Sequence, residues 1–137
     1  ASGTPTTLFY GARSGRELFY LDFFERLGVR LVLSTEDGSQ GVRGRVTVPL
    51  EAALANLGGR DLAMVYACGP EPMLAIVANL AARYGQTSEV SVERVMGCGL
   101  GGCYSCVVPV RNGAGRPHFV RSCIGGPVFK GSEIVWE

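Results

Sequence analysis

Leu62-Ala-Met-Val-Tyr-Ala-Cys-Gly-Pro-Glu-Pro-Met-Leu-Ala-Ile-Val-Ala-Asn-Leu-Ala-Ala82 holds the two signals that decide the fold. Its first half, Leu62 to Ala67, is an unbroken apolar run, which predicts a strand covered on both faces. Cys68-Gly69-Pro70 then turns the chain, and Pro72 opens a helix. Met73, Leu74, Val77, Leu80, Ala81 and Tyr84 recur at helical spacing along one face, and Gly85 ends it. A further strand is expected over Ser88 to Glu93.

The same alternation extends toward the N-terminus. Thr6-Thr-Leu-Phe-Tyr10 predicts a buried strand that ends in Gly11-Ala-Arg-Ser14. Ser14 is the expected N-cap of a helix on which Leu18, Leu21, Phe24 and Leu27 recur beside Phe19 and Phe23, stopped by Gly28. Val29 to Ser34 predicts the second strand, and Thr35 to Gly41 an open turn. Val46 to Val48 is expected to return as a short extended piece. Pro49 then starts a short helix with Leu50, Leu54 and Leu57, closed by Gly58-Gly59. Strands alternating with helices imply right-handed crossovers, hence an α/β fold: a parallel sheet with helices on both faces over residues 6 to 94.

From Met96 the composition changes to a glycine- and cysteine-rich loop followed by short β-rich pieces, Val107 to Val110 and His118 to Arg121, and then Gly125-Gly-Pro-Val-Phe129. Two modules are therefore expected, an α/β lobe over residues 1–95 and a small β-rich cysteine module over residues 96–137.

Of the 137 residues, 47% are hydrophobic and 18% charged, which fits a globular chain and not a disordered one. Thirteen Lys and Arg against twelve Asp and Glu leave a net charge of +1 with no basic stripe, which argues against nucleic acid as a partner. No apolar stretch approaches a membrane span. The first residues, Ala-Ser-Gly-Thr-Pro-Thr-Thr, show neither a basic nor an apolar signal region and are expected to be a cut end rather than a natural start. An odd count of five cysteines argues against a disulfide scaffold and for a reducing, cytoplasmic setting.

Cys98, Cys103 and Cys106 are spaced C-x4-C-x2-C, and Cys123 follows. That order is the plant-type arrangement for a [2Fe-2S] cluster, whose four thiolates must converge on one small anion. Glycines at 97, 99, 101 and 102 let the loop take left-handed turns and bring backbone N–H groups close to sulfur. A four-cysteine zinc site is the alternative, but it normally uses two C-x2-C-like pairs and only one occurs here. The single histidine, His118, has no partner that marks it as a ligand.

Cys68 stands at the carboxyl end of its strand, the edge where open parallel sheets bind ligands, before a helix start with free N–H groups. It reads equally as a buried thiol. Gly11 to Ser14 and Thr35 to Asp37 end their strands on that same edge. No complete Gly-x-Gly-x-x-Gly fingerprint follows a first strand, so residue chemistry alone reaches an iron-sulfur protein with a nucleotide-type α/β sheet.

Five stretches resemble the electron-transfer subunit of the NAD-dependent (class 1B) dihydroorotate dehydrogenases, within the ferredoxin-reductase-like flavoproteins. They are Tyr10-Gly-Ala-Arg13, Thr35 to Thr47, Ala67-Cys-Gly-Pro-Glu-Pro-Met73, Ser91 to Cys106 and Cys123 to Phe129. The resemblance runs over nearly the whole chain. It implies that Cys98, Cys103, Cys106 and Cys123 hold a [2Fe-2S] cluster and that the α/β part is a nicotinamide-nucleotide lobe. Electrons would pass between NAD(H), an FAD, the cluster and an FMN in a separate catalytic subunit, in pyrimidine biosynthesis.

The resemblance also implies that Cys68 lies near the nicotinamide and flavin, where it would act as the catalytic residue, with Gly69, Pro70 and Met73 shaping the pocket. Gly11, Ala12, Arg13, Ser14, Thr35 and Glu36 would meet the adenosine half, where Glu36 would repel a 2′-phosphate and favour NAD. The family's FAD-binding barrel and its first strand with a glycine-rich loop precede the point where this sequence starts. That strand is central in the family's sheet, so the chain is expected to be part of a longer product and to hold FAD poorly alone. The family's acidic residue before the final Gly-Pro-Val-Phe is Gly125 here.

Three other readings compete. The motifs are shared with flavoprotein subunits of hydrogenases, sulfide dehydrogenases and ferredoxin:NADP oxidoreductases. A non-enzymatic zinc module would be colourless. A hydrolase with Cys68 as nucleophile would have only His118, fifty residues away, as its base.

Overall fold

The computed structural model describes residues 3–57 and 61–136. They form two compact units, one running to Asn56 and the other beginning at Leu57. The expected boundary at residue 95 falls inside the second unit, because a strand from the cysteine module pairs with one from the α/β lobe.

In the first unit, β1 (Thr7–Ala12) pairs in parallel with β2 (Arg30–Thr35), in register from Thr7 opposite Arg30 to Ala12 opposite Thr35. β3 (Val42–Arg43) adds to β2, also in parallel. The crossover from β1 to β2 differs from the expected helix. Ser14 begins only a single 3-10 turn (Gly15–Glu17) without a side-chain cap bond, and α1 covers just Leu21–Arg26. Tyr20 at its start takes a left-handed conformation, φ 59°, which breaks the helical path. Phe19, Phe23 and Leu27 are left exposed, while Leu18 is buried. Gly28 ends the helix as expected: at φ 70° its N–H bonds the Glu25 carbonyl.

The extended return expected at Val46 to Val48 lies at Val42–Arg43 instead, and α2 runs Thr47–Ala55 with Val46 at its N-cap. Pro49 is thus the third helical residue, where its missing N–H has no intrahelical partner to lose. Leu50 and Leu54 are buried as the spacing predicts. The expected closure at Gly58-Gly59 lies outside the described residues.

In the second unit, β4 (Met64–Cys68) is parallel to β5 (Thr87–Ser91), with α3 (Glu71–Arg83) between them. Leu74, Val77, Ala78, Leu80 and Ala81 make the buried face of α3, and Gly85 turns out of it at φ 68°. The Gln86 side chain accepts the Ala63 N–H and donates to the Asp61 carbonyl, tying the entry to β4 beside β5. β4 is not covered on both faces as its apolar run predicts. It is an edge strand of the β4-β5-β8 sheet, Ala67 packs on the core, and Met64 and Tyr66 on the other face are 46% and 71% exposed.

The cysteine module adds a hairpin, β6 (Val107–Val110) with β7 (His118–Arg121), at the expected positions. A four-residue turn of helix, α4 (Ser122–Gly125), leads by a cis Gly126-Pro127 bond to β8 (Val128–Lys130). β8 pairs antiparallel with β5, Val90 opposite Phe129. One core results: Leu74, Val90, Val92, Val108, Val110, Phe129 and Ile134. The parallel strands of the chain therefore fall into two three-stranded sheets, with β1 and β4 each at an edge. Among the described residues, no helix is long and apolar enough to cross a membrane.

Candidate functional site

β5 delivers the chain to the cysteine loop. The Val92 N–H bonds the Pro127 carbonyl, and an Arg94–Glu71 ion pair at 2.9 Å fixes the lead-in to the first turn of α3. The loop then folds back on itself. Ser105 Oγ accepts the Gly97 N–H at 3.0 Å and donates to the Val95 carbonyl at 3.1 Å, joining the loop's two ends. Gly97 is a packing requirement, since a Cβ there would stand 3.0 Å from Cys103 Sγ. On the far side the Ser122 N–H bonds the Cys106 carbonyl at 3.0 Å, which holds Cys123 beside Cys106.

All five cysteines are free thiols, with Cys106 buried, Cys123 half-buried and Cys98 and Cys103 exposed. The loop thiols influence one another, Cys98 through Cys103, Cys106 through Cys123, and Cys123 through both Cys106 and Cys98. Cys98 is bonded by the backbone and side chain of Cys103 and by the Leu100 N–H at 3.3 Å. The Cys103 and Leu100 N–H groups, with the Cys103 side chain and the Gly102 N–H, lower the Cys98 thiol to about 6. The Cys123 backbone and side chain lower Cys106, and Cys123 is pushed up by its bond to Cys106, by burial and by the Cys106 charge, against a bond from Gly101. Among the described residues, no three His, Cys, Asp or Glu side chains surround a common point as one metal ion requires. Four thiols in the C-x4-C-x2-C…C order, with the Leu100 N–H bonded to Cys98 Sγ, have the chemistry of a thiolate set for a [2Fe-2S] cluster.

Sequence reasoning missed three residues of this site. Besides Ser105, Arg121 on β7 donates from Nη1 to the Gly101 carbonyl at 2.6 Å, and its guanidinium carbon lies 4.9 Å from the centre of the Tyr104 ring. Their positions between the cysteines were the available signal, but nothing in spacing alone shows which loop side chains turn inward.

The nucleotide candidates divide between the two units. In the first, Gly11 to Ser14 and Thr35 to Glu36 end adjacent parallel strands and are stitched together by the Glu36 N–H to the Ala12 carbonyl and the Asp37 N–H to the Arg13 carbonyl, each 3.1 Å. Gly11 leaves no room for a side chain: a Cβ would stand 2.7 Å from that of Val46. Thr35 is fully buried, and its hydroxyl donates to the Gln40 carbonyl and accepts the Gln40 N–H, so it staples the turn rather than facing a ligand. Ser39 accepts the Gly15 N–H at 2.7 Å and donates to Asp37 at 2.6 Å. The result is a cleft lined by Ser14, Gly15, Arg16, Asp37, Ser39 and Gln40, with Arg13 and Glu36 exposed close by in sequence. In the second unit, Cys68 is exposed at the carboxyl end of β4, and Pro70 caps α3. Gly69, at φ 150°, is covered by the Met73 methyl, which a Cβ would meet at 2.7 Å.

A parallel α/β rim and a four-cysteine loop in one chain define an oxidoreductase module of the nucleotide-and-cluster kind. Residues 1–79 match the model of the oxidoreductase NAD-binding domain family, to which the chain belongs, and residues 93–135 match the iron-sulfur cluster binding domain of dihydroorotate dehydrogenase B. Among curated relatives, the dihydroorotate dehydrogenase B (NAD(+)) electron transfer subunit of Desulforamulus reducens is 37% identical over 96% of this chain and 48% of its own length. The probable counterpart from Pyrococcus abyssi is 40% identical over 93% of this chain and 44% of its own length. The chain spans about half the length of the curated relatives it matches. A solved structure of an NADH-dependent reduced ferredoxin-NADP oxidoreductase, described for flavin-based electron bifurcation, superposes with a TM-score of 0.77 at 28% identity, covering 98% of this chain and 45% of that one.

Proposed function

We propose that this chain is the nucleotide-and-cluster part of an electron-transfer subunit that moves electrons between NAD(H), FAD and a [2Fe-2S] cluster, to or from the FMN of a cytoplasmic dihydroorotate dehydrogenase catalytic subunit. The observation that carries it is the set Cys98, Cys103, Cys106 and Cys123 around a loop that Ser105 closes and whose Leu100 N–H bonds Cys98 Sγ. The names of the relatives, dihydroorotate dehydrogenase B electron transfer subunits, support the choice of partner.

In this reading the four cysteines bind the cluster as thiolates, and the N–H groups of Leu100 and Cys103 stabilise the thiolate of Cys98 without moving a proton. When bound, the cluster supplies a one-electron relay beside carriers that exchange electrons in pairs. Glu36 and the Gly11 to Ser14 loop would orient the adenosine half of the nucleotide. Exposed Cys68, with Gly69, Pro70 and Met73, would line the nicotinamide end. FAD would be held mainly by a barrel outside these residues.

The test is iron and zinc content with visible and EPR spectra on anaerobically purified, dithionite-reduced chain. About two irons per chain and a one-electron signal are expected; zinc without visible bands would overturn the reading. The ferredoxin-NADP oxidoreductase likeness favours one second reading, a flavoprotein subunit of that kind. Copurification with a dihydroorotate dehydrogenase or with a ferredoxin oxidoreductase subunit separates the two.

A further inference from the structure

Three segments carry the four thiols: the loop between Cys98 and Cys103, the turn between Cys103 and Cys106, and the strand leading to Cys123. Arg121 touches all three. It lies on β7 opposite Val107, the residue after Cys106, and two residues before Cys123. Its Nη1 bonds the carbonyl of Gly101, inside the first interval, at 2.6 Å. Its guanidinium carbon lies over the ring of Tyr104, inside the second, at 4.9 Å from the ring centre.

The loop is shaped for this grip. Gly101 is buried at φ 80°, and a Cβ there would stand 3.0 Å from Ile124 and 3.4 Å from Arg121 Nη1. Tyr104 adopts φ 60°, uncommon for an aromatic residue, which presents its ring to the guanidinium. Among the described residues, no carboxylate forms an ion pair with Arg121. The half-buried guanidinium brings a positive charge to the Gly101 carbonyl, between Cys98 and Cys103, on a side chain two residues before Cys123.

We propose that Arg121 is the positioning residue of the cysteine site, clamping both intervals between its ligands onto β7 and setting its reduction potential through a fixed positive charge. The inference rests on the reading of the four thiols as cluster ligands. When the site is reduced one electron enters, no bond is made or broken, no proton is taken up, and the charge becomes one unit more negative. A nearby fixed cation stabilises the more negative state and raises the potential. The clamp acts separately, by holding Gly101 and Tyr104 in one arrangement.

The experiment compares the full chain with its Arg121→Met and Arg121→Lys variants, each loaded anaerobically with iron and sulfide and titrated with dithionite against redox mediators. Iron per chain, EPR line shape and midpoint potential are read together. Arg121→Met should shift the reduced-to-oxidised ratio at a fixed potential about tenfold toward oxidised, about 59 mV for one electron. Arg121→Lys keeps the charge but not the guanidinium over Tyr104, so it should restore most of the potential while leaving the EPR signal broadened and the iron more easily chelated. If Arg121→Met does not load, a loaded Arg121→Lys with near-native potential and a broadened signal still supports the proposal. A native potential in Arg121→Met, an equal shift in both variants, or failure of both to take up iron would overturn it. Failure of the cluster reading itself would appear earlier, as wild-type chain that takes up no iron.

Discussion

Ser105 Oγ stands 3.2 Å from Cys103 Sγ while also holding the Gly97 N–H and the Val95 carbonyl. One hydroxyl proton cannot serve both sulfur and carbonyl. The serine proton either goes to the Val95 carbonyl, as its 3.1 Å contact allows, or turns to sulfur, and then the Val95 bond is given up. The serine thus trades closure of the loop against stabilisation of the ligand.

Ser105→Ala removes both uses. Each lost bond is worth about 1 kcal/mol, so iron should leave the loaded chain roughly tenfold faster in the presence of a chelator. Stopped-flow absorbance at a cluster band measures it, and an unchanged release rate would refute the role.

Leu74 is fully buried at the centre of the core that joins α3, β5, β6 and β8. Leu74→Ala should cost about 2–5 kcal/mol. Because the same core backs the cysteine hairpin, urea unfolding followed by α-helix signal and by thiol exposure should shift together. Separate transitions would show that the hairpin is held independently.

Asp37 is held below the usual carboxylate range by bonds from the Ser39 side chain and backbone. Its folded form binds fewer protons than its unfolded form, so its contribution is present above pH about 4 and is lost as pH falls through the lowered value. Since Ser39 also holds the Gly15 N–H, the Gly15 amide should lose hydrogen-exchange protection below pH about 4. Asp37→Asn should show that lower protection at every pH. Identical protection in both chains would remove Asp37 from the loop's support.

Glu36 is exposed at the rim with its N–H tied to Ala12. Glu36→Arg should raise affinity for NADPH over NADH by about tenfold, the effect of exchanging a repelled for a paired 2′-phosphate. Calorimetric titration of both nucleotides into the chain tests it, and an unchanged preference would remove Glu36 from specificity.

Much of this is legible in the residues because it depends on local chemistry. Gly28 and Gly85 end their helices where a left-handed residue is needed, and β6 and β7 lie at the short β-rich pieces Val107 to Val110 and His118 to Arg121. The cysteine spacing marks the site itself. Misreadings arise where a distant partner decides. The apolar run of β4 predicts cover on both faces, but the strand lies at a sheet edge and Tyr66 stays open. Leu18 to Leu27 has helical periodicity, yet the left-handed Tyr20 divides it. The hydroxyl of Thr35 on the rim engages Gln40, a tie across the turn that only the fold shows.

The pairing of β8 with β5 has a bearing on synthesis. All four candidate ligands lie between Ser91 and Val128, which face each other in that pairing. On the ribosome, β5 has no β8 partner and the cysteine stretch no closed ends until Val128–Lys130 has emerged. Bringing such distant residues together carries the entropy of closing a long loop, so this zipper forms late. A settled site therefore waits for Val128–Lys130 to emerge, and a nascent chain stalled before Val128 would offer its thiols as loose side chains.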